Sequence, residues 1–242
     1  MHKRTLATAL LAALTAGAAQ AATFSENFDG ATVSPWLQFS ATPGFQFANS
    51  GGNGLFTQDA NAGPGFGYLR TGFQLLGDFT ISVQMNRDQL GSSGEAGLDA
   101  RFFSTYPDGF TDVWSQGTQT IVGNLYMPTP PGFGSGVVAD ASSQVSFTIR
   151  RSGGTLDLLF DNGNGAQLVR TATDASLTGP VTAELFLGQE IGSPAAHGAA
   201  FDNLTIQADA FTPAVPEPAT ALLWLCGLVA WRQTASRRQA GL

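Results

Sequence analysis

Cysteine and histidine are almost absent from this chain of 242 residues. The only cysteine, Cys226, lies in an apolar stretch near the C-terminus, which excludes an internal disulfide. The two histidines, His2 and His197, are far apart in the sequence, which argues against a His-rich metal site or chemistry that needs a pair of histidines. The sequence also lacks a Gly-x-Ser-x-Gly elbow and a Walker A loop, the motifs of two large enzyme classes.

Positive charge is scarce as well. Lys3 is the only lysine, and residues 22–214 hold six arginines against 17 aspartates and glutamates, which gives a net charge of −11. A surface this acidic repels nucleic acid and anionic lipid headgroups. We therefore expect no nucleic-acid partner.

The first 21 residues match a cleaved export signal. A basic start with Lys3 and Arg4 precedes an apolar stretch at residues 6–17, and the small residues at 19–21 provide a cleavage site after Ala21. The apolar stretch is shorter than the about 20 residues of a membrane-spanning helix. Residues 1–21 are therefore predicted to be a signal peptide, and the remainder of the chain is predicted to be exported.

Residues 22–209 have the pattern of a β-sheet domain. In DFTISVQMN, SQVSFTIRRSGG and PVTAELFLGQ, apolar and polar residues alternate, which predicts strands with one buried face. In the first of these segments the buried face consists of Phe79, Ile81, Val83 and Met85. Gly- and Asn-rich links predict that residues 145–173 are three strands joined as hairpins. About twelve strand candidates and no amphipathic helix predict an all-β, two-sheet antiparallel sandwich.

Several segments together resemble the concanavalin A-like jelly roll: FSENFDG, DFTISVQMN, GEAGLDARF, VSFTIRRSGGTLDLLFDNG and AAFDNLTI. That superfamily includes legume lectins, laminin-G-like domains and laminarinase-type glucanases. The resemblance covers most of residues 24–207. It implies that the first and last strands are neighbours, and that a structural Ca²⁺ is held close to them, as in many members.

Two carboxylates share strand faces with apolar residues, Glu26 in the first predicted strand and Asp202 in the last. An ionised carboxylate on such a face costs several kcal/mol unless it is paired, hydrogen-bonded or bound to a metal. The resemblance suggests that Glu26 and Asp202, with Asp29, form an oxygen site for one structural Ca²⁺, the only cofactor expected. The alternative is a bulged or shortened strand that leaves both acids in water.

Catalysis has little support in the sequence. Laminarinase-type enzymes of this fold carry Glu-x-Asp-x-x-Glu on one strand, and that pattern does not occur here. The segment GEAGLDARF has Glu95, Asp99 and Arg101 on its polar face. A Glu–Asp pair four residues apart is more typical of a solvated face than of a glycosidase pair. We therefore expect no catalytic residues and no enzyme activity.

Sugar binding has a weak signal in two aromatic residues. Tyr106 and Trp114 flank a predicted turn and are the candidates for stacking on a glycan, although core or interface packing is the alternative for each ring. The main prediction is an exported, non-catalytic surface or matrix protein whose sandwich contacts polysaccharide. The alternative is a glycoside hydrolase or lyase of the same fold that acts on exopolysaccharide with Glu95 and Asp99.

The C-terminal segment consists of a linker followed by three elements. A Pro-rich linker at residues 210–215 leads into Pro-Glu-Pro, an apolar stretch at 219–231 and a basic end. Thirteen helical residues span about 20 Å, less than the roughly 30 Å hydrocarbon core. Snorkelling of Arg232 lengthens the span, and Arg237 and Arg238 hold the end on the cytoplasmic side.

Together these elements resemble the PEP-CTERM sorting signal of Gram-negative bacteria that make exopolysaccharide, here at residues 216–239. The matching motif residues are Val215, Pro216, Glu217, Pro218, Arg232, Arg237 and Arg238. The resemblance implies a single short transmembrane helix that anchors the chain transiently in the inner membrane. It also implies cleavage by exosortase and delivery to the cell surface or the extracellular space. Cys226 is interpreted as a small apolar residue of that helix.

Overall fold

The structure is a computed structural model that describes residues 21–102, 109–128, 131–189 and 195–213. Nearly all of the predicted signal peptide, the end of the Pro-rich linker, the whole sorting signal and Tyr106 lie outside these residues. Within the described ranges, no helix is both long enough and apolar enough to cross a membrane.

Fifteen strands and one single-turn 3₁₀ helix, Ala175–Thr178, make up the described chain. The strands are β1 (Ala22–Glu26), β2 (Leu37–Ala41), β3 (Phe45–Ser50), β4 (Asn53–Gln58), β5 (Gly65–Thr71), β6 (Gln74–Asn86), β7 (Glu95–Phe102), β8 (Gly109–Gln116), β9 (Thr120–Pro128), β10 (Pro131–Ala139), β11 (Gln144–Ser152), β12 (Thr155–Asp161), β13 (Gln167–Thr173), β14 (Val181–Gln189) and β15 (His197–Thr212). Because β15 continues to Thr212, the sheet includes three residues that the sequence assigns to the linker.

The strands form two facing antiparallel layers. The front layer has the order β2-β5-β14-β7-β8-β9-β10. The back layer has the order β4-β15-β6-β11-β12-β13, with β3 outside β4 and β1 alongside the later part of β15. The layers join where Val181 of β14 pairs with Leu75 of β6. This arrangement confirms the predicted jelly-roll sandwich and the predicted neighbourhood of the first and last strands.

The core lies between the layers and follows the alternation in the sequence. The predicted inward face of β6 is at most 3% exposed, and the alternate residues of β11 are equally buried. The predicted three-stranded run at residues 145–173 is β11, β12 and β13. Strand β14 departs from simple alternation, because all nine of its residues are buried. Side chains of the neighbouring strands therefore cover the outer face of β14: Arg70 and Arg101 contact Glu184, and Phe66 and Tyr68 lie beside Phe186.

Two arginines are fully buried and connect loops to the sandwich, in a domain that has no disulfide. Arg151 donates hydrogen bonds to the carbonyl oxygens of Gly77, Leu177 and Gly179, and its guanidinium lies 4.5 Å from the ring centroid of Phe79. Arg87 is 0% exposed and makes the same kind of multiple contact at the start of β11. Such groups are tolerated in a protein interior only when their donors are satisfied.

Candidate active site

A groove of about 260 Å³ lies on the outer face of the front layer. Its floor is formed by the residues of β7, β8 and β14 that alternate with core residues such as Leu98, Val113 and Leu185. The strand pattern that predicts the core therefore also determines which side chains point into the groove.

The pairing register aligns polar residues from five strands in one row across the groove floor. Asp99 of β7 lies directly opposite Glu184 of β14 on one side and Asp112 of β8 on the other. Arg70 of β5 lies opposite Glu184, and Asn124 of β9 lies opposite Asp112. Directly opposite residues have Cβ atoms about 4.5–5.5 Å apart. Three carboxyl groups that are distant in sequence are thus adjacent in space.

Two arginines bind Glu184 from either side. Arg70 Nε lies 2.5 Å from Glu184 Oε1, and Arg101 Nε lies 3.5 Å from the same oxygen. Arg101 Nη2 also donates to Asp99 Oδ2 at 3.3 Å. The side chain of Glu184 is 0% exposed, whereas those of Arg70 and Arg101 are 37% and 28% exposed. Glu184 therefore acts as a charge beneath the groove surface.

A glycine makes room at the centre of the groove. In the row next to the carboxyl groups, Gly97 of β7 lies between Phe186 of β14 and Trp114 of β8. A Cβ atom at Gly97 would lie 2.4 Å from the carbonyl oxygen of Val113 and 2.5 Å from Cβ of Trp114. Any side chain there would displace Trp114, so glycine keeps the floor open between Glu95 and Asp99.

Aromatic side chains form both walls. Phe66, Tyr68 and Phe186 lie on the β5–β14 side, where the rings of Phe66 and Tyr68 stack at 5.8 Å. Phe110 and Trp114 lie on the β8 side, where Phe110 packs on Tyr126 at 5.1 Å. Flat amphipathic rings beside polar groups are typical of sites that stack against sugar rings.

Two carboxyl groups of the row, those of Asp99 and Asp112, have raised pKa values. Burial and the neighbouring charge of Glu184 raise the pKa of Asp99 to about 7, against the opposing effect of Arg101. Burial and the charges of Asp99 and Glu95 raise the pKa of Asp112 well above its usual range. Carboxylic acids that keep their proton near neutral pH are suited to donating it, which is the role of a general acid.

Several polar atoms in and around the groove floor are buried and have no hydrogen-bond partner among the residues that the structure describes. They are Asp99 Oδ1, Asp112 Oδ1, Glu184 Oε2, Thr182 Oγ1 and Trp114 Nε1. Unpaired buried polar atoms are rare in native structures, and each costs stability. Five such atoms therefore lie in and around the same groove.

The structure brings together four of the residues noted in the sequence, since Arg101 also lines the groove. Glu95, Asp99 and Trp114 all line the groove, where Glu95 and Trp114 are half-buried and Asp99 is 4% exposed. Asp99 was expected on a solvated face, and it is buried instead because β8 and β14 flank it with further side chains. Tyr106 lies outside the described residues.

Sequence reasoning did not single out Glu184, Asp112 or Arg70. Each occupies the same kind of polar-face position as Asp99, alternating with core residues along its strand. That alternation was the available signal, but it does not say which strands become neighbours. Only the pairing register places the three beside Asp99.

The predicted calcium ligands lie in the back layer and have hydrogen-bond partners of their own. Both carboxylate oxygens of Glu26 accept backbone N–H groups, from Phe28 at 2.9 Å and Ser34 at 2.7 Å. Asp202 accepts from the backbone and side chain of Asn203, at a β-bulge. Asp29 accepts from the side chain of Asn27.

The residues around these acids do not form an evident metal cage. Nowhere in the described ranges do three or more His, Cys, Asp or Glu side chains group so that they could hold a metal ion. The contacts of Glu26 and Asp202 satisfy their oxygens through amide donors, and the bulge in β15 is the alternative foreseen for that strand. The calcium site stays a prediction.

No family model matches the sequence, and no curated protein is significantly similar to it. Among solved structures, the chain resembles a GlcNAcα1-4Gal-releasing endo-β-galactosidase from Clostridium perfringens, with a TM-score of 0.59 and 12% identity over 78% of this chain and 61% of that one. It resembles a non-specific endo-β-1,3(4)-glucanase from family GH16, with a TM-score of 0.61 and 8% identity over 78% and 91% of the two chains. It also resembles a β-glucanase from Bacillus licheniformis, with a TM-score of 0.58 and 13% identity over 77% and 97%.

These neighbours overturn the expectation of a non-catalytic sandwich without enzyme activity. The three solved structures named above are glycoside hydrolases, and the acids that were assigned to a solvated face line an aromatic groove instead. Similarity at 8–13% identity shows the fold alone. The fold is therefore that of the jelly-roll glycanases, and any reaction must be argued from the residues in the groove.

Proposed function

We propose that the chain is a glycoside hydrolase that cleaves an extracellular polysaccharide in the groove of the front layer. The observation that carries the proposal is the row of carboxyl groups at Glu184, Asp99 and Asp112, set between aromatic walls. Glycoside hydrolysis needs a proton-donating carboxylic acid and a second carboxylate on either side of the scissile bond. The groove supplies candidates for both.

Asp99 is the general acid of this proposal. It remains protonated up to a pH of about 7, and its unpartnered Oδ1 is buried at the groove floor. A proton donated by Asp99 to the glycosidic oxygen allows the C–O bond to break, and the water that completes hydrolysis returns the proton.

Glu95 is the second carboxylate. It lies on the same face of β7 as Asp99, on the other side of Gly97, and its negative charge already acts on Asp112. Its charge stabilises the sugar cation that develops as the bond breaks. Glu184 is unsuited to this role because its side chain has no exposed surface. Asp112 is unsuited because its raised pKa keeps it protonated.

The aromatic walls hold the sugar rings. Trp114 and Tyr68 are half-buried on opposite sides of Gly97, so a sugar above Gly97 contacts ring faces on both sides. This keeps Trp114 as a glycan-binding residue.

The experiment measures reducing-end release from β-1,3-glucan, mixed-linkage β-glucan, β-galactan and bacterial exopolysaccharides. General acid catalysis is worth about 10²–10⁴ in rate, so Asp99→Asn and Glu95→Gln should each lose at least about a hundredfold. Asp88→Asn, an exposed acid outside the groove, is the matched control and should keep the wild-type rate. Failure of the wild-type protein on every polymer would refute the proposal, as would full activity in both groove variants.

We also propose that the sorting signal delivers this hydrolase to the polysaccharide outside the cell. Support comes from the motif at residues 215–218 and the basic residues that follow the apolar stretch. On this proposal exosortase is the processing partner, the inner membrane is a transient anchor, and nucleic acid is not a partner. In a strain that has exosortase, the intact mass of the surface form should lack Arg237 and Arg238. A mature protein that retains them would contradict the processing.

A further inference from the structure

Two buried carboxyl groups face each other across neighbouring strands of the groove floor. Asp99 of β7 and Glu184 of β14 are a direct cross-strand pair, and they are 4% and 1% exposed. Each has one oxygen without a hydrogen-bond partner, Oδ1 of Asp99 and Oε2 of Glu184. Two negative charges at this separation and burial repel strongly, so the pair favours a state that holds one proton.

The surroundings decide which member holds that proton. Glu184 Oε1 is contacted by both Arg70 and Arg101, whereas Asp99 has a single arginine contact at the longer distance of 3.3 Å. Two cations stabilise the ionised form of Glu184 more than one stabilises that of Asp99. The proton therefore resides on Asp99.

Of the remaining charged and titratable groups around Asp99, the acidic ones favour its protonated form and the arginines favour its ionised form. Asp112 faces it from β8, Glu95 lies on its own strand, and Tyr68 faces it from β5. Arg101 on its own strand and Arg70 on β5 favour its ionised form. Among these neighbours Glu184 has the largest effect, second only to burial.

We infer that Glu184 is a positioning residue that holds the shared proton on Asp99, so that Asp99 and Glu184 work as a single-proton carboxyl pair. This inference rests on the proposed function for the role of Asp99 as general acid. Glu184 touches no substrate, because its side chain is fully buried, and its effect reaches the reaction only through Asp99.

The charges predict opposite effects for two variants. Glu184→Gln removes a negative charge beside Asp99, takes the ion-pair partner from Arg70 and leaves Arg101 in contact with Asp99 alone, so the pKa of Asp99 should fall. Arg70→Gln removes a positive charge at a partly exposed site, so the pKa of Asp99 should rise. A change in packing alone would not produce shifts of opposite sign.

The experiment follows the Asp99 carboxyl carbon by ¹³C NMR titration in the wild-type protein and both variants, with Asp99→Asn to assign the signal. The wild-type midpoint is expected near pH 7. If Glu184→Gln lowers it by about one unit, the protonated fraction at pH 7 falls from one half to about one tenth. Cleavage at pH 7 should then drop about fivefold while cleavage at pH 5 is kept, and Arg70→Gln should extend activity to higher pH.

Two results would overturn the inference: an Asp99 midpoint that stays in place, or one that moves in the same direction in both variants. If Glu184→Gln does not fold, Arg70→Gln alone still tests the inference, because the Asp99 midpoint is predicted to rise in that variant. Absence of cleavage by the wild-type protein would refute the proposed hydrolase, whereas the NMR titration tests the carboxyl pair without any substrate.

Discussion

Replacing Arg87 with methionine should cost this domain about 3 kcal/mol of folding free energy. The Arg87 side chain is 0% exposed, and Nη2 lies 2.5 Å from Asp140 Oδ1. Nε donates to the carbonyl oxygen of Ser142 at 2.5 Å, Nη1 to Ser115 Oγ at 2.8 Å, and Nη2 to the carbonyl oxygen of Asp140 at 2.7 Å. Methionine fills most of the volume but satisfies none of these acceptors.

The magnitude follows from what remains after the substitution. Breaking a buried ion pair by removing one partner typically costs 3–5 kcal/mol. The lower end applies because Asp140 keeps hydrogen bonds from Asn162 and from the backbone of Ser142. For a domain of this size 1 kcal/mol corresponds to about 2–4 °C in Tm, so Tm should fall by roughly 6–12 °C.

The matched control is Arg150→Met, which removes the same side chain from an exposed pair. Arg150 Nη2 lies 2.6 Å from Asp157, but the two side chains are 53% and 21% exposed. Exposed pairs contribute about 0–1 kcal/mol. Urea denaturation at pH 7 compares the two variants with the wild-type protein. Equal losses in both, or a loss below 1 kcal/mol for Arg87→Met, would refute the assignment of Arg87 as a buried structural cation.

Three further predictions concern the groove and the back layer. The pKa of Asp99 is raised from its unfolded value near 4 to about 7, so its contribution to stability is lost as pH rises through that window. Between pH 5 and pH 8, urea denaturation should therefore show a smaller loss of unfolding free energy for Asp99→Asn than for the wild-type protein. An equal loss in the two proteins would contradict the raised pKa. Gly97→Ala should destabilise the domain by about 1–3 kcal/mol through overpacking against Trp114 and abolish the proposed cleavage. The control, Gly63→Ala at an open position, should change neither the stability nor the cleavage rate. A well-folded, active Gly97→Ala variant would argue against the described groove floor. If the back layer holds Ca²⁺, EDTA should lower the melting temperature, Ca²⁺ should restore it and Asp202→Ala should remove the difference, whereas a melting curve unchanged by EDTA would count against the site.

Local patterns were enough to predict the architecture. The inward face of β6 and the hairpins of β11, β12 and β13 follow from alternation and turn residues that lie within a few positions of one another. The short strands β2 and β3 lie among Gly- and Pro-containing loops, and alternation this brief carries little signal, so fewer strands were expected than the fifteen observed. The predicted sorting signal also rests on a local pattern of contiguous residues, and it stays a prediction.

The candidate site depends on contacts that no local pattern contains. The alternation in β7 placed Asp99 on a polar face, but it could not distinguish a solvated face from a groove floor. That distinction depends on Glu184 and Asp112 from two other strands, and on the aromatic walls beside the row, in which Asp99 and Glu184 are buried and Asp112 is half-buried. An isolated carboxylate on a wet strand titrates near its usual pKa, whereas the same group between two acids in a buried row holds its proton. The sequence by itself therefore determined the sandwich and the position of Asp99 within its strand, and only the pairing of β7 with β8 and β14 made that residue a buried acid with a raised pKa.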